Sequence, residues 1–324
     1  MQIFEYFDVI NLYSTFASTT VVIDQLLFTQ TNRYLLRGLK LGFDAVALLT
    51  EIPIDRIASL TLCEPAGLRI VEQCRQLRFL KLLGADEWII DIMKKTTQAN
   101  VELNQLTLVT TTIKSLANLL TCILHHSSLH RLEIRTDVLE SCGSARSLAM
   151  VENHIEQFVF DSCSINNRNN FLYMRSTFTG VLSLRMGLIE RNPDIVPSLL
   201  FHRLHTLRLG LLEVSFAWLV QLMVTMPLLT TLKLTGLVDD HQFLVHHRWA
   251  SLFESTLTLR QIFVNIHMQQ AQLSHHLPEM HASLRALNLD LTCNNDDSSF
   301  NPDEGQAQQW WHLKGWILKG HGVT

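Results

Sequence analysis

Leu204-His205-Thr206-Leu207-Arg208-Leu209 and, starting again at position 229, Leu229-Thr230-Thr231-Leu232-Lys233-Leu234 carry the same hexad, Leu-x-x-Leu-x-Leu. Further clear copies begin at Leu77, Leu103, Leu129 and Leu284, and weaker ones at Ile57, Ile155, Thr179 and Leu259. Successive copies start 20 to 30 residues apart, so one unit recurs about ten times along the chain. A repeat of this length is the signature of a solenoid, in which each unit buries its apolar face only against its neighbours.

Positions four and six of the hexad lie two apart, so in an extended segment both side chains point to one face. Position one sits where the chain turns into the strand and helps close the apolar layer. The remaining residues of each unit suffice for a loop and a short helix that returns the chain to a parallel position. Residues 115–124 place Leu116, Leu119, Leu120, Ile123 and Leu124 on one helical face. Phe216 to Met226 behaves alike and stops before Pro227, where a helix is expected to end. The expected class is therefore α/β, with a parallel sheet on one side and helices on the other.

Composition fits a long, well-buried array. Apolar residues make up 47% of the 324 and charged residues 17%, against ~25% charged in an average soluble domain. A net charge of −4 gives no bulk reason to expect nucleic acid or membrane as a partner. The cysteines (Cys63, Cys74, Cys122, Cys142, Cys163 and Cys293) form no C-x-x-C pair and are scattered. Reduced thiols are expected in place of disulfides or zinc. The apolar stretch from Ala217 to Val238 contains Gln221, Pro227 and Lys233, and reads as a buried helix–strand unit, not a membrane span. The start, Met1-Gln2-Ile3-Phe4-Glu5, carries an acid and no basic leader. A protein of the cytosol or nucleus is expected.

The hexads and their spacing resemble the leucine-rich repeats, specifically the helix-bearing classes. One unit carries the longer family pattern, Ile155-x-x-Phe158-x-Phe160-x-x-Cys163-x-Ile165. Elsewhere the asparagine position holds Ala85, Thr111, Asp137, Leu212, Leu237, His267 and Thr292, so a continuous asparagine ladder is absent. The resemblance implies a horseshoe with its sheet on the concave side and helices on the convex side. It covers residues 51–295, with 29–50 as a connector or edge repeat.

Residues 1–28 lie outside the repeat. Ile3-Phe4-x-Tyr6-Phe7-Asp8, followed by Asn11-Leu12, resembles the F-box, entered partway through its first helix as an N-terminally truncated copy. Asn11 stands where the family more often has Asp. The alternative is a plain helical cap over the open end of the solenoid. The resemblance implies that Ile3, Phe4, Tyr6, Phe7 and Leu12 would dock on a Skp-type adaptor of a cullin–RING ubiquitin ligase. The repeats would then hold the target. The chain would be a non-enzymatic substrate receptor without a cofactor; a repeat scaffold that has lost adaptor binding is the other reading.

With positions four and six facing the core, positions three, five and the residue after six face the open side. Those columns hold Lys81, Arg131, Arg135, Arg185, Arg208 and Lys233 against Glu133, Asp161 and Asp290, with Phe79 and Phe263 as apolar anchors. The excess of cations suits an acidic or phosphorylated protein target; an ordinary solvated sheet face is the alternative. Aromatic platforms are too few along the band to suggest nucleic acid. The pairs His125-His126, His246-His247 and His275-His276 read as surface residues, because neighbours in sequence point apart and make poor joint metal ligands. The acidic run from Asn294 to Glu304 lacks calcium-loop spacing and reads as a solvated loop. Within 296–324, Trp310, Trp311 and Trp316 are expected on a helical turn capping the last repeat, or on a partner-binding tail.

Overall fold

A computed structural model of the chain describes residues 15, 19–20, 39–41, 54–63, 68–141, 154–164, 180–189, 201–269, 277–294 and 310–319. It divides into two compact units, Met1–Ile155 and Glu156–Thr324.

In the first unit, strands β1 (Leu39–Leu41), β2 (Ser59–Leu62), β3 (Phe79–Leu83), β4 (Gln105–Ile113) and β5 (Arg131–Leu139) pair in sequence order, all parallel. Helices α1 (Leu68–Val71), α2 (Asp86–Gln98) and α3 (Leu116–Ile123) return the chain between strands. Helix α2 buries Ile89, Ile92, Met93 and Thr96, a stripe at helical spacing. Helix α3 starts where Ser115 Oγ accepts the Asn118 N–H. It buries Leu116, Leu119, Leu120 and Ile123, the face read from the sequence.

In the second unit, β6 (Gln157–Ser164), β7 (Ser183–Ile189), β8 (Thr206–Leu212), β9 (Thr231–Val238) and β10 (Gln261–Gln269) are likewise parallel and in order. Helices α4 (Phe216–Val224), α5 (His246–Ser255) and α6 (Leu277–Ala286) fill the later connectors. Phe216 of α4, Trp249 of α5 and Phe243 between them meet edge to face, with centroids 5.0 to 6.0 Å apart. Trp249 donates its indole N–H to the Phe243 carbonyl at 2.9 Å, so this buried ring leaves no polar atom unsatisfied. Asp240 ties the same connectors together: one carboxylate oxygen accepts from Gln242 N and the other from Phe216 N.

The hexad is the repeating physical unit. Its first residue, from Ile57, Leu77, Leu103, Leu129 and Ile155 through Leu204, Leu229 and Leu259, is at most 1% exposed in each case. Position four stacks in ladders: Leu60, Leu80, Leu106 and Leu132 in one unit, and Phe158, Leu184, Leu207, Leu232 and Ile262 in the other. A backbone staple fixes the register between units. The carbonyl at position two accepts the N–H groups of positions two and three in the next unit. Ala58, Arg78 and Asn104 do this in the first unit, and Glu156, Leu182, His205 and Thr230 in the second, all at 2.8 to 3.2 Å.

Two sequence expectations are corrected. The hexad assigned from Thr179 is out of register by two residues. Leu182 supplies the staple carbonyl, Val181 is 1% exposed, and Leu184 pairs with Phe158 and Leu207. The working copy is therefore Val181-x-x-Leu184-x-Met186. The Trp-bearing C-terminal segment is no helix. Residues Trp310–Leu318 form strand β12, inserted antiparallel between β10 and β11 (Leu289–Asn294). Trp311, Leu313 and Ile317 are buried while Lys314 and Trp316 are exposed, which is the period-two pattern of a strand.

Among the described residues no helix is long and apolar enough to cross a membrane. The F-box-like residues Ile3, Phe4, Tyr6, Phe7 and Leu12, residues 295–304 of the acidic run and His275-His276 lie outside the described residues, while Asn294 ends β11.

Candidate interaction face

The sheet face opposite the buried leucines carries the open-face residues read from the sequence, and each unit arranges its own differently. In the first unit Phe79 is exposed on β3 beside Ser59 and Gln105, and Lys81 is flanked by Thr61 and Thr107. Arg131 and Arg135 close on Glu133 between them. Arg135 Nε lies 2.6 Å and its Nη2 2.5 Å from Glu133 Oε1, and Arg131 Nη2 lies 3.7 Å from Oε2. Glu133 is 7% exposed, so the two arginines are its counter-ions and only one positive charge of the trio is uncompensated.

The second unit builds a single row across five neighbouring strands. Arg185 pairs with Arg208, Arg208 with Lys233, Lys233 with Phe263, and Phe263 with Trp316. Neighbours in such a row stand ~4.8 Å apart at the backbone. The two-residue register correction moves Arg185 into this row from the column after position six. Asp161 meets Arg185 at 3.7 Å. Among the described residues no carboxylate pairs with Arg208 or Lys233. Lys233 Nζ instead lies 4.7 Å from the centre of the Phe263 ring, a cation–π contact. Trp316, 54% exposed, ends the row.

Trp316 escaped the sequence reading because three tryptophans in a short tail suggested a helical cap. The alternation Trp311-x-Leu313-x-Gly315-x-Ile317 was the available signal. Gly315 has φ +156, and a Cβ there would lie 2.0 Å from the Asn288 carbonyl oxygen, so the tight β11–β12 approach requires glycine.

Histidines occupy two other settings. His267 and His312 stack on the open face with centroids 4.4 Å apart and planes 1° from parallel. His312 Nε2 lies 2.6 Å from Asn265 Oδ1. Partial burial, followed by His267 and Lys314, holds the His312 imidazole below the usual histidine range. His126, expected at the surface, is 7% exposed. It fills the buried slot three residues before a hexad, which Cys74, Phe201, Met226 and Thr256 fill elsewhere. Thr96 and Thr97 both donate their hydroxyl protons to the Met93 carbonyl, so His126 Nε2–H donates to the two threonine oxygens at 3.1 and 3.0 Å. Burial lowers its pKa.

Cys63, Cys74 and Cys122 are free thiols, and burial, with Asp55 secondary, pushes Cys74 up to about 12. That makes it a packing group, not a nucleophile. Among the described residues no three His, Cys, Asp or Glu side chains gather where they could hold a metal ion. The arrangement offers charge, hydrogen-bond donors and exposed rings on a sheet face, which is recognition chemistry. No protein-family model matches this chain, and no curated protein matches it.

Proposed function

We propose that this chain is the substrate-recognition subunit of a cullin–RING ubiquitin ligase. In this reading an F-box-like segment at residues 1–28 meets a Skp-type adaptor, and a leucine-rich repeat horseshoe holds a target protein on its concave face. The protein works in the cytosol or nucleus. The observation that carries the target-binding half is the row Arg185–Arg208–Lys233–Phe263–Trp316, where the cations of Arg208 and Lys233, paired with no carboxylate among the described residues, adjoin the partly buried Phe263 and the exposed Trp316. The stapled hexads support the repeat assignment. The match of Ile3, Phe4, Tyr6, Phe7 and Leu12 to the F-box supports the adaptor half.

The subunit itself makes and breaks no bonds. Holding a target beside the ligase raises the effective concentration of its lysines, so ubiquitin transfer proceeds as a nearly intramolecular step. The test is co-expression of the full chain with a Skp adaptor and a cullin. Stoichiometric co-purification is expected, abolished by changing Phe4 and Tyr6 to Asp. Failure of the unmodified chain to bring down the adaptor would overturn the ligase reading and leave a repeat scaffold.

A further inference from the structure

We propose that the row Arg208–Lys233–Phe263–Trp316 binds a phosphorylated tyrosine side chain on the partner protein. The inference rests on reading this face as the target-binding surface, and it names the chemistry recognised there.

Charge supplies the first argument. Arg185, Arg208 and Lys233 stand directly opposite one another on β7, β8 and β9, an arrangement of like charges that destabilises a sheet. Asp161 offsets Arg185 at 3.7 Å, which leaves two adjacent positive charges on Arg208 and Lys233. A phosphate monoester, at about −1.5 to −2 near neutral pH, matches two cations. A lone carboxylate matches one. A phosphate also presents three acceptor oxygens, enough to take charge-assisted bonds from a guanidinium and an ammonium at once.

The rings supply the second. Phe263 is mostly buried with part of its ring open to solvent, Trp316 is 54% exposed, and they are directly paired across β10 and β12. A phosphoserine would engage the cations and leave these rings in water. An unmodified apolar side chain would cover the rings and leave the cations without a partner. Phosphotyrosine joins both features in one rigid side chain. With its ring laid on Trp316 beside Phe263, its phenolic oxygen points along the row toward β9. There Lys233 Nζ is already held 4.7 Å from the Phe263 ring centre, with Arg208 one strand further.

Access is the third. Gly210 follows Arg208 on the same face of β8 and pairs with Gly187 of β7. No side chain at these two positions stands between the cations and an approaching peptide backbone.

The experiment uses the full 324-residue chain and fluorescein-labelled peptide libraries with degenerate flanks around a fixed phosphotyrosine, phosphoserine or tyrosine. By fluorescence anisotropy the phosphotyrosine library should bind saturably and at least tenfold tighter than the other two, with phenyl phosphate competing. Arg208→Gln with Lys233→Gln should weaken binding at least tenfold, and Trp316→Ala severalfold. Melting by circular dichroism at or above the wild-type temperature will show that these variants are folded, since removing opposed like charges relieves the sheet and does not weaken it. Equal binding of phosphoserine and phosphotyrosine, wild-type affinity in the Arg208/Lys233 variant, or no binding of any library would each overturn the inference. Adaptor capture without phosphotyrosine binding removes this inference alone. Phosphotyrosine binding without adaptor capture removes only the ligase assignment.

Discussion

His126 shows how a repeat slot sets the chemistry of the residue that fills it. At several repeats the position three residues before the hexad closes a tight turn with its side chain buried, as at Cys74, Phe201, Met226 and Thr256, while Asn100 in the same position is exposed. An imidazole there keeps one donor satisfied by Thr96 and Thr97 and resists a second proton, because burial penalises the charged form. Its folded pKa therefore lies below the ~6.5 of an unfolded histidine. As the pH falls below ~6.5 the unfolded chain takes up its proton first, so stability is lost on acidification through that window. The urea midpoint should drop between pH 7.5 and 5.5, and His126→Gln should reduce that drop. His312, shifted in the same direction, accounts for part of what is left. An identical pH dependence in the variant would show that His126 does not contribute. Gly236 is constrained by geometry, not charge. Its φ is +119, and a Cβ would lie 2.1 Å from the Leu211 carbonyl oxygen on the neighbouring strand. Gly236→Ala should cost at least about 1 kcal/mol, since both the backbone region and the space exclude a side chain. Urea unfolding at one pH checks it, and a change under 0.5 kcal/mol, about the scatter of neutral surface substitutions, would refute it.

At the scale of elements, the hexads disclosed the strands wherever leucine filled positions four and six, because a two-residue period has one physical reading on a buried sheet face. The reading slipped at Thr179, where Leu182 and Leu184 imitate positions four and six. The pattern Val181-x-x-Leu184-x-Met186 is chemically as good, and the three-dimensional pairing decides between them: the Leu182 carbonyl accepts the staple from His205 and Thr206, and Leu184 pairs with Phe158 and Leu207. Val181→Ala should therefore cost about 1–3 kcal/mol as a core deletion, and Leu182→Ala less than about 1. The reverse order, measured by chemical denaturation, would restore the Thr179 register. The C-terminal strand was missed for a different reason. The alternation from Trp311 to Ile317 marks a strand but does not say where it pairs, and insertion between β10 and β11 depends on contacts with the rest of the unit, while the Trp content suits a helix as well. Its glycine makes the sharpest test. Gly315→Ala drives a Cβ into the Asn288 carbonyl, so amide exchange in β11 and β12 should accelerate while β6 to β8 stay protected. Uniform acceleration through the whole second unit would contradict that.

For the molecule as a whole, the mixed α/β class with its mostly parallel strands was legible in the sequence, because it follows from local periodicity. The candidate site was legible only in part. A column count gives net charge, but cannot show that Arg131 and Arg135 are committed to Glu133 while Arg208 and Lys233 have no acid among the described residues. Pairing of that kind depends on side-chain reach across neighbouring strands. Nor could the count bring Trp316 into the row, since that required the position of β12. The division into Met1–Ile155 and Glu156–Thr324 was not legible either, because the hexad spacing runs through residue 155 without a break. Each compact unit has its own ladder of buried leucines, and in repeat proteins energetic coupling passes mainly between nearest neighbours. Leu108→Ala in β4 and Leu234→Ala in β9 remove equivalent, fully buried side chains and should each cost about 2–5 kcal/mol locally. Hydrogen exchange should then accelerate in β3 to β5 for the first variant and in β8 to β10 for the second, each leaving the other unit protected. If either variant speeds exchange equally in both sets of strands, the units open as one and a single unfolding free energy describes the chain.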